Sequence, residues 1–141
     1  MFKKMLITVD LDDPDTMRKT FVAAQQLMKE SANVEIRLIN VQPIVPISIM
    51  GYLPPDFDEA VTKEAESKFA MIVSGSGLPE KTISKIIRNG SVYDEVLAEA
   101  NDWGADIIIV GSQKPSMSMY LLGSNAATIT RHAKCSVLVV R

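Results

Sequence analysis

An open, five-stranded parallel sheet in a three-layer αβα sandwich, strand order 3-2-1-4-5, is the architecture predicted for this 141-residue chain. Two observations carry the prediction. Stretches rich in Val, Ile and Leu alternate with stretches whose apolar residues recur at helical spacing. The apolar stretches are hydrophobic on both faces, as strands covered on both sides must be, so helices have to lie on each face of the sheet.

Residues 5–9 (MLITV) read as a buried strand that opens at Asp10 into LDDPD, a polar, proline-containing stretch of the kind found at the carboxyl edge of a sheet. Met17, Phe21, Ala24 and Met28 follow at helical spacing. Pro14 suits the helix start, where its missing N–H costs nothing, and Asp13 or Asp15 can cap it. Residues 34–41 are the second strand, which partly alternates and is less fully covered. Residues 42–56 carry Pro43, Pro46, Pro54 and Pro55 among Ile44, Val45, Ile47, Ile49, Met50, Tyr52 and Leu53. Such an apolar connection is expected to pack on its own domain, a ligand or a second subunit. Residues 57–72 read as a helix with Val61, Ala65, Phe69 and Ile72 on one face.

Residues 82–87 form the third strand, and Asn89-Gly90 is a turn signal. Ser91 with Asp94 is a variant capping box, Val92, Val96, Ala100 and Trp103 follow at near-helical spacing, and Gly104 closes the helix. Residues 106–110 are the clearest strand, with β-branched side chains in succession. It runs into Gly111-Ser112, a polar loop, and Gly123-Ser124-Asn125. Residues 126–133 read as a helix and 136–140 as the last strand.

Composition narrows the function. Lys plus Arg total 15 against 17 Asp plus Glu, a net charge of -2, so the basic footprint of a nucleic-acid binder is missing. One cysteine, Cys135, excludes an intrachain disulfide and a cysteine-based zinc site, and one histidine, His132, excludes multi-histidine metal chemistry. No apolar run is long enough to span a membrane, and the opening MFKKMLITVD meets Asp10 too early for a signal peptide, so the expected location is the cytoplasm.

In a sheet of this order ligands bind beyond the carboxyl ends of the strands, at the switch between strands one and four. The loops there are 10–14 and 111–123. In the second, Gly111 and Gly123 bracket Ser112, Gln113, Lys114, Ser116 and Ser118, with Ser124 and Asn125 at the head of the last helix. Glycines admit close approach of backbone N–H groups to an anion, a helix start adds partial positive charge, and hydroxyls and the Asn125 amide add donors. That suits the phosphates of a nucleotide. The same glycines also serve as plain turn and helix-start residues, and neither GxxxxGK[ST] nor GxGxxG is present.

Residues 109–141, IVGSQKPSMSMYLLGSNAATITRHAKCSVLVVR, resemble the carboxyl end of the universal stress protein family, whose nucleotide-binding members carry G-x-x-G, a spacer, then G-[S/T]. Gly111 matches the first glycine, and Gly123 and Ser124 the final pair; Lys114 replaces the second glycine and the loop is one residue shorter. GSxxPSxSxxLLGSNA is the form of one branch of the family, within which ATP binding is known. ITVD, ending at Asp10, and LINV, ending at Val41, match as well, so the resemblance runs the length of the chain.

The resemblance implies a Rossmann-like nucleotide-binding domain over 1–141, with ATP as ligand, with or without magnesium. Asp10 and Val41 would surround the adenine, Gly111 would approach the ribose, and Ser112, Ser116, Gly123, Ser124 and Asn125 would line the phosphate region. The last strand would join a homodimer, covering an apolar edge otherwise prone to aggregation.

Other side chains admit two readings each. Lys114 either holds a phosphate as a point charge or is solvated. Asp10 with Asp12, Asp13 and Asp15 either approaches magnesium beside bound phosphates or fills a loop and caps a helix. His132 and Arg131 suit a helix carboxyl end, Cys135 a structural position, and Trp103 helix-to-sheet packing. Three functions follow: an ATP-binding regulatory or stress-protective homodimer with little or no turnover, a slow ATP hydrolase or autophosphorylating protein, and a nucleotide-free dimerisation module.

Overall fold

The computed structural model of the protein describes residues 1–112 and 122–141. Five parallel strands, β1 (Lys4–Thr8), β2 (Glu35–Gln42), β3 (Ile83–Asn89), β4 (Ile107–Gly111) and β5 (Ser136–Val140), form one sheet in the order β3-β2-β1-β4-β5. This is the order expected. The helices are α1 (Pro14–Lys29), α2 (Ile47–Met50), α3 (Phe57–Ser74), α4 (Val92–Trp103) and α5 (Ser124–His132).

Strand alternation divides the core in two. Met5, Ile7, Ile36, Leu38, Ile107 and Ile109 face Met17, Phe21 and Ala24 of α1 and Phe69 of α3. Leu6, Ile39, Ile108 and Val110 face Val96 and Ala100 of α4 and Ala126 and Ile129 of α5. Two helices therefore lie on each face, which makes the three layers. Each fully buried Leu or Ile of β1 and β4 contributes about 1.5–3 kcal/mol, so these two central strands anchor the molecule.

Local chemistry sets the helix ends. Asp13, not Asp15, caps α1: its carboxylate accepts from the backbone N–H of Thr16, with Pro14 in the first turn. Ser91 Oγ accepts from the N–H of Asp94 at the start of α4, and Gly104 ends that helix with φ 78°, the left-handed region glycine favours.

Three details depart from the sequence reading. β3 continues to Asn89 because Arg88 and Asn89 stay in register with Val41 and Gln42; backbone pairing, not apolarity, sets its end. α5 begins at Ser124, where polar residues give no apolar period to read. Residues 42–56 contain the short α2, yet Ile44, Ile47, Ile49, Met50 and Tyr52 remain exposed, so packing on their own domain does not account for their apolar character.

A charged cluster pins α4 to the sheet. Glu99, almost fully buried, accepts from Arg37 of β2 and Arg88 of β3, both at 2.7 Å. Arg88 also donates to Glu95, and the Arg37 guanidinium lies 4.6 Å from the centre of the Trp103 ring. Burial pushes the Glu99 carboxyl up, but the two guanidiniums outweigh it and hold the group below the ordinary glutamate range. Trp103 packs partly buried against the α4–α5 side of the sheet, as expected of it. Among the described residues no helix is long and apolar enough to cross a membrane.

Candidate functional site

The strand order reverses between β1 and β4, and the carboxyl ends of these strands leave a crevice there. A cavity of about 340 Å³ occupies it. It spans the ends of β2, β1 and β4 and the first turns of α1, α4 and α5.

The β1 side is built from hydrogen bonds that begin at the end of the strand. The N–H of Val9 donates to the carbonyl of Ile39, which extends the ladder by one residue. The chain then turns at Asp10, whose carboxylate accepts from the N–H of Asp12 at 3.0 Å. The Asp10 N–H meets the thioether of Met17 at 3.4 Å. Thr16 is fixed twice by Asp13, through its N–H and through a 2.6 Å hydroxyl bond. Its methyl group stands over Gly111: a Cβ on that glycine would lie 2.6 Å from Thr16 Cγ2. The glycine therefore lets the first turn of α1 close onto the end of β4.

The β4 side is a chain of backbone bonds. The N–H of Ser112 donates to the carbonyl of Val140 at 2.9 Å, and the N–H of Gly123 donates to the carbonyl of Ser112 at 2.6 Å. This holds the start of α5 against the end of β4. Gly123, the N-cap of α5, has no side chain with which to cap it. The leading amides of a helix have no partners within it and carry the positive end of its dipole. Ser112 is buried, and its hydroxyl has no partner among the described residues. An anion at this helix start would meet donors already in place.

The β2 side carries a buried amide. Asn40 Nδ2 donates to the carbonyl of Val9 at 2.9 Å, and Gln42 Nε2 donates to Asn40 Oδ1 at 2.6 Å. Val41 and, from α4, Val92 complete an apolar wall.

Of the residues singled out in the sequence, Asp10, Val41, Gly111, Ser112, Gly123, Ser124 and Asn125 all line this one cavity. Lys114 and Ser116 lie outside the described residues. Asp13, of the 10–14 loop that the sequence reading placed at the site, lines it too, whereas Thr8, Val9, Thr16, Met17, Thr20, Asn40, Val92, Val110 and Ala126 were missed as lining residues. Asn40 is the one with a legible signal: a lone amide in the otherwise apolar LINV. The acidic residues of 10–15 do not converge, and among the described residues no three His, Cys, Asp or Glu side chains gather as a metal site. A larger cavity, about 960 Å³, lies between α3, the 42–56 segment and the free flank of β3, away from the β1–β4 switch.

Comparison with known proteins agrees with the architecture. The chain matches the universal stress protein family over residues 1–141. Universal stress protein G of Shigella flexneri is 35% identical over 144 residues, covering 100% of both chains. Among solved structures, a universal stress protein in complex with cAMP superposes with a TM-score of 0.63 at 22% identity, over 99% of this chain and 96% of that one. The universal stress protein from Archaeoglobus fulgidus in complex with dAMP superposes with a TM-score of 0.65 at 17% identity, over 99% and 98%. With that match along its entire length, the chain belongs to the universal stress protein family.

Proposed function

We propose that this chain is a nucleotide-binding regulatory or stress-protective protein of the cytoplasm, a single domain over 1–141 that takes ATP, with or without magnesium, in the cavity between β1 and β4. The observation that carries the reading is the start of α5, whose N-cap is a glycine, beside the Ser112 hydroxyl, which has no partner among the described residues, in the same cavity as the exit of β1. The triphosphate belongs at that anion-binding end, held by the amides of Ser124 and Asn125. The nucleoside extends over β1 toward Asp10 and Val41. The cAMP and dAMP complexes of two proteins of the same fold support an adenine nucleotide.

Little or no turnover belongs to the same reading, and phosphate release from ATP measures it directly. A homodimer through β5 fits the edges of the sheet. β5 is an uncharged SVLVV strand with half-buried apolar side chains at one edge, whereas β3, at the other, carries Lys85 and Arg88. Charged edges resist pairing and apolar ones invite it.

Calorimetric titration of the full chain with ATP, with and without magnesium, tests the binding, and sedimentation tests the dimer. Saturable binding of ATP by a dimer is the expected result. No heat at millimolar ATP, with no rise in melting temperature, overturns the assignment.

A further inference from the structure

We infer that residues 42–56 and the larger cavity beside them form a two-fold interface that takes a second copy of this chain, at the opposite flank of the sheet from β5. The surface is a projection next to a recess. Ile47 and Tyr52 project: they are 88% and 89% exposed and line neither cavity. The recess is the cavity of about 960 Å³. Val61, Ala65 and Phe69 of α3 and Ile87 of β3 line it, and Ile44 and Met50 line it from the 42–56 side while staying exposed. A surface that carries both an apolar projection and an apolar recess complements itself. Turned about a two-fold axis, each copy sets Ile47 and Tyr52 toward the recess of the other. The contact joins side-chain surfaces and leaves the backbone edge of β3 unpaired.

Size and charge favour this occupant. Together with Ile44, Ile49 and Met50, the two projecting residues expose on the order of 700 Å², close to the roughly 800 Å² that each partner brings to a specific interface. Monomers seldom leave an apolar patch that large in water. Residues 43–55 hold no charged side chain, so two copies of the segment meet without repulsion. The recess itself is lined by charges of both signs. Lys85 of β3 and Asp58 and Glu66 of α3 are there, and none of the three forms an ion pair among the described residues. A two-fold arrangement can set the cation of each copy against the carboxylates of the other, which fixes register more than it adds affinity. Other occupants fit less well. A small molecule in the recess leaves Ile47 and Tyr52 in water. A bilayer covers them, but Asp56, Asp58 and Glu59 follow the segment and are repelled by anionic headgroups.

The test is sedimentation of the full chain, from micromolar to hundred-micromolar concentration, for wild type, Ile47→Asp and Tyr52→Asp. Both substitutions fall on exposed side chains, so melting temperature and ATP affinity are expected to hold. Wild type is expected to associate one step beyond each variant: beyond the dimer if β5 pairs as proposed above, and dimer against monomer if it does not. Failure of the β5 pairing therefore changes the starting mass but not the difference between wild type and variant. The dissociation constant of that step is expected to rise about tenfold or more, the effect of placing a charge in a buried apolar contact. Variants with the mass of wild type at every concentration overturn the inference. Binding of wild type to phosphatidylcholine–phosphatidylglycerol vesicles that Ile47→Asp abolishes, with no change of mass in solution, assigns the surface to a bilayer and overturns it too.

Discussion

Gly111 and Thr16 approach so closely that a Cβ on the glycine would stand 2.6 Å from the threonine Cγ2. Thr16 cannot swing away, because Asp13 holds both its N–H and its hydroxyl. Gly111→Ala should therefore destabilise the fold by about 1–3 kcal/mol through overpacking. Thr16→Ser removes the offending methyl and keeps the hydroxyl. In that background the alanine should be nearly neutral, as read by midpoints of urea unfolding at unchanged slope. An equal loss in both backgrounds would place the strain elsewhere.

Asp13 and Asp15 look interchangeable in the sequence but do different jobs. Asp13 satisfies the leading N–H groups of α1, and Asp15 makes an exposed ion pair with Arg18. Asp13→Ala should cost about 1 kcal/mol, the usual value of a lost N-cap. Asp15→Ala should cost no more than about 0.5 kcal/mol, since exposed pairs contribute little. Asp13→Ser, which can still cap, should recover most of the loss. Comparable destabilisation by the two alanines would contradict the assignment.

Glu99 links stability to acid. Burial opposes its charge, but Arg37 and Arg88 prevail and lower its pKa in the folded state. A carboxyl depressed on folding stabilises above its unfolded pKa, and that stability is lost as pH falls through the folded value. Glu99→Gln should cost about 3 kcal/mol at pH 7, because two guanidiniums lose their shared partner. The gap between variant and wild type should narrow steadily below about pH 4, where wild type protonates as well. Unfolding at pH 7 and pH 3 reads it directly. A gap independent of pH would remove the carboxylate charge from the account.

The sheet was legible because its causes are local. ITV, LIN, IIIV and VLVV announce strands by composition, and Ser91 and Gly104 announce helix ends by rules that span a few residues. The glycines and serines of 111–125 pointed to a site because a helix start beside a strand exit is itself a sequence-adjacent feature. Contacts between distant residues were not legible. Glu99 meets Arg37 across 62 positions, and Asn40 meets Val9 across 31. Neither pair leaves a periodic trace, since a charged residue in α4 looks solvated until the sheet is assembled beneath it. The exposed apolar side chains of 42–56 show the converse. Their composition implied burial, and only the fold reveals that this chain does not itself bury them.

Gly123 separates folding from binding. Its φ of -56° and ψ of 148° are ordinary for any L-residue, so a side chain is tolerated by the backbone there. An N-cap side chain, however, lies against the first amides of the helix, the groups assigned to phosphate. Gly123→Ser should cap α5 with its own hydroxyl, gaining a few tenths of a kcal/mol of stability while competing with the ligand. Gly123→Val should cover the amides with methyl groups and weaken ATP binding by about tenfold or more, with a melting temperature only a few degrees lower. Stability and affinity should thus move in opposite directions for serine and diverge in size for valine, in melts paired with calorimetric titration. Parallel changes in both variants would mean that the helix start is a structural joint and that the anion sits elsewhere.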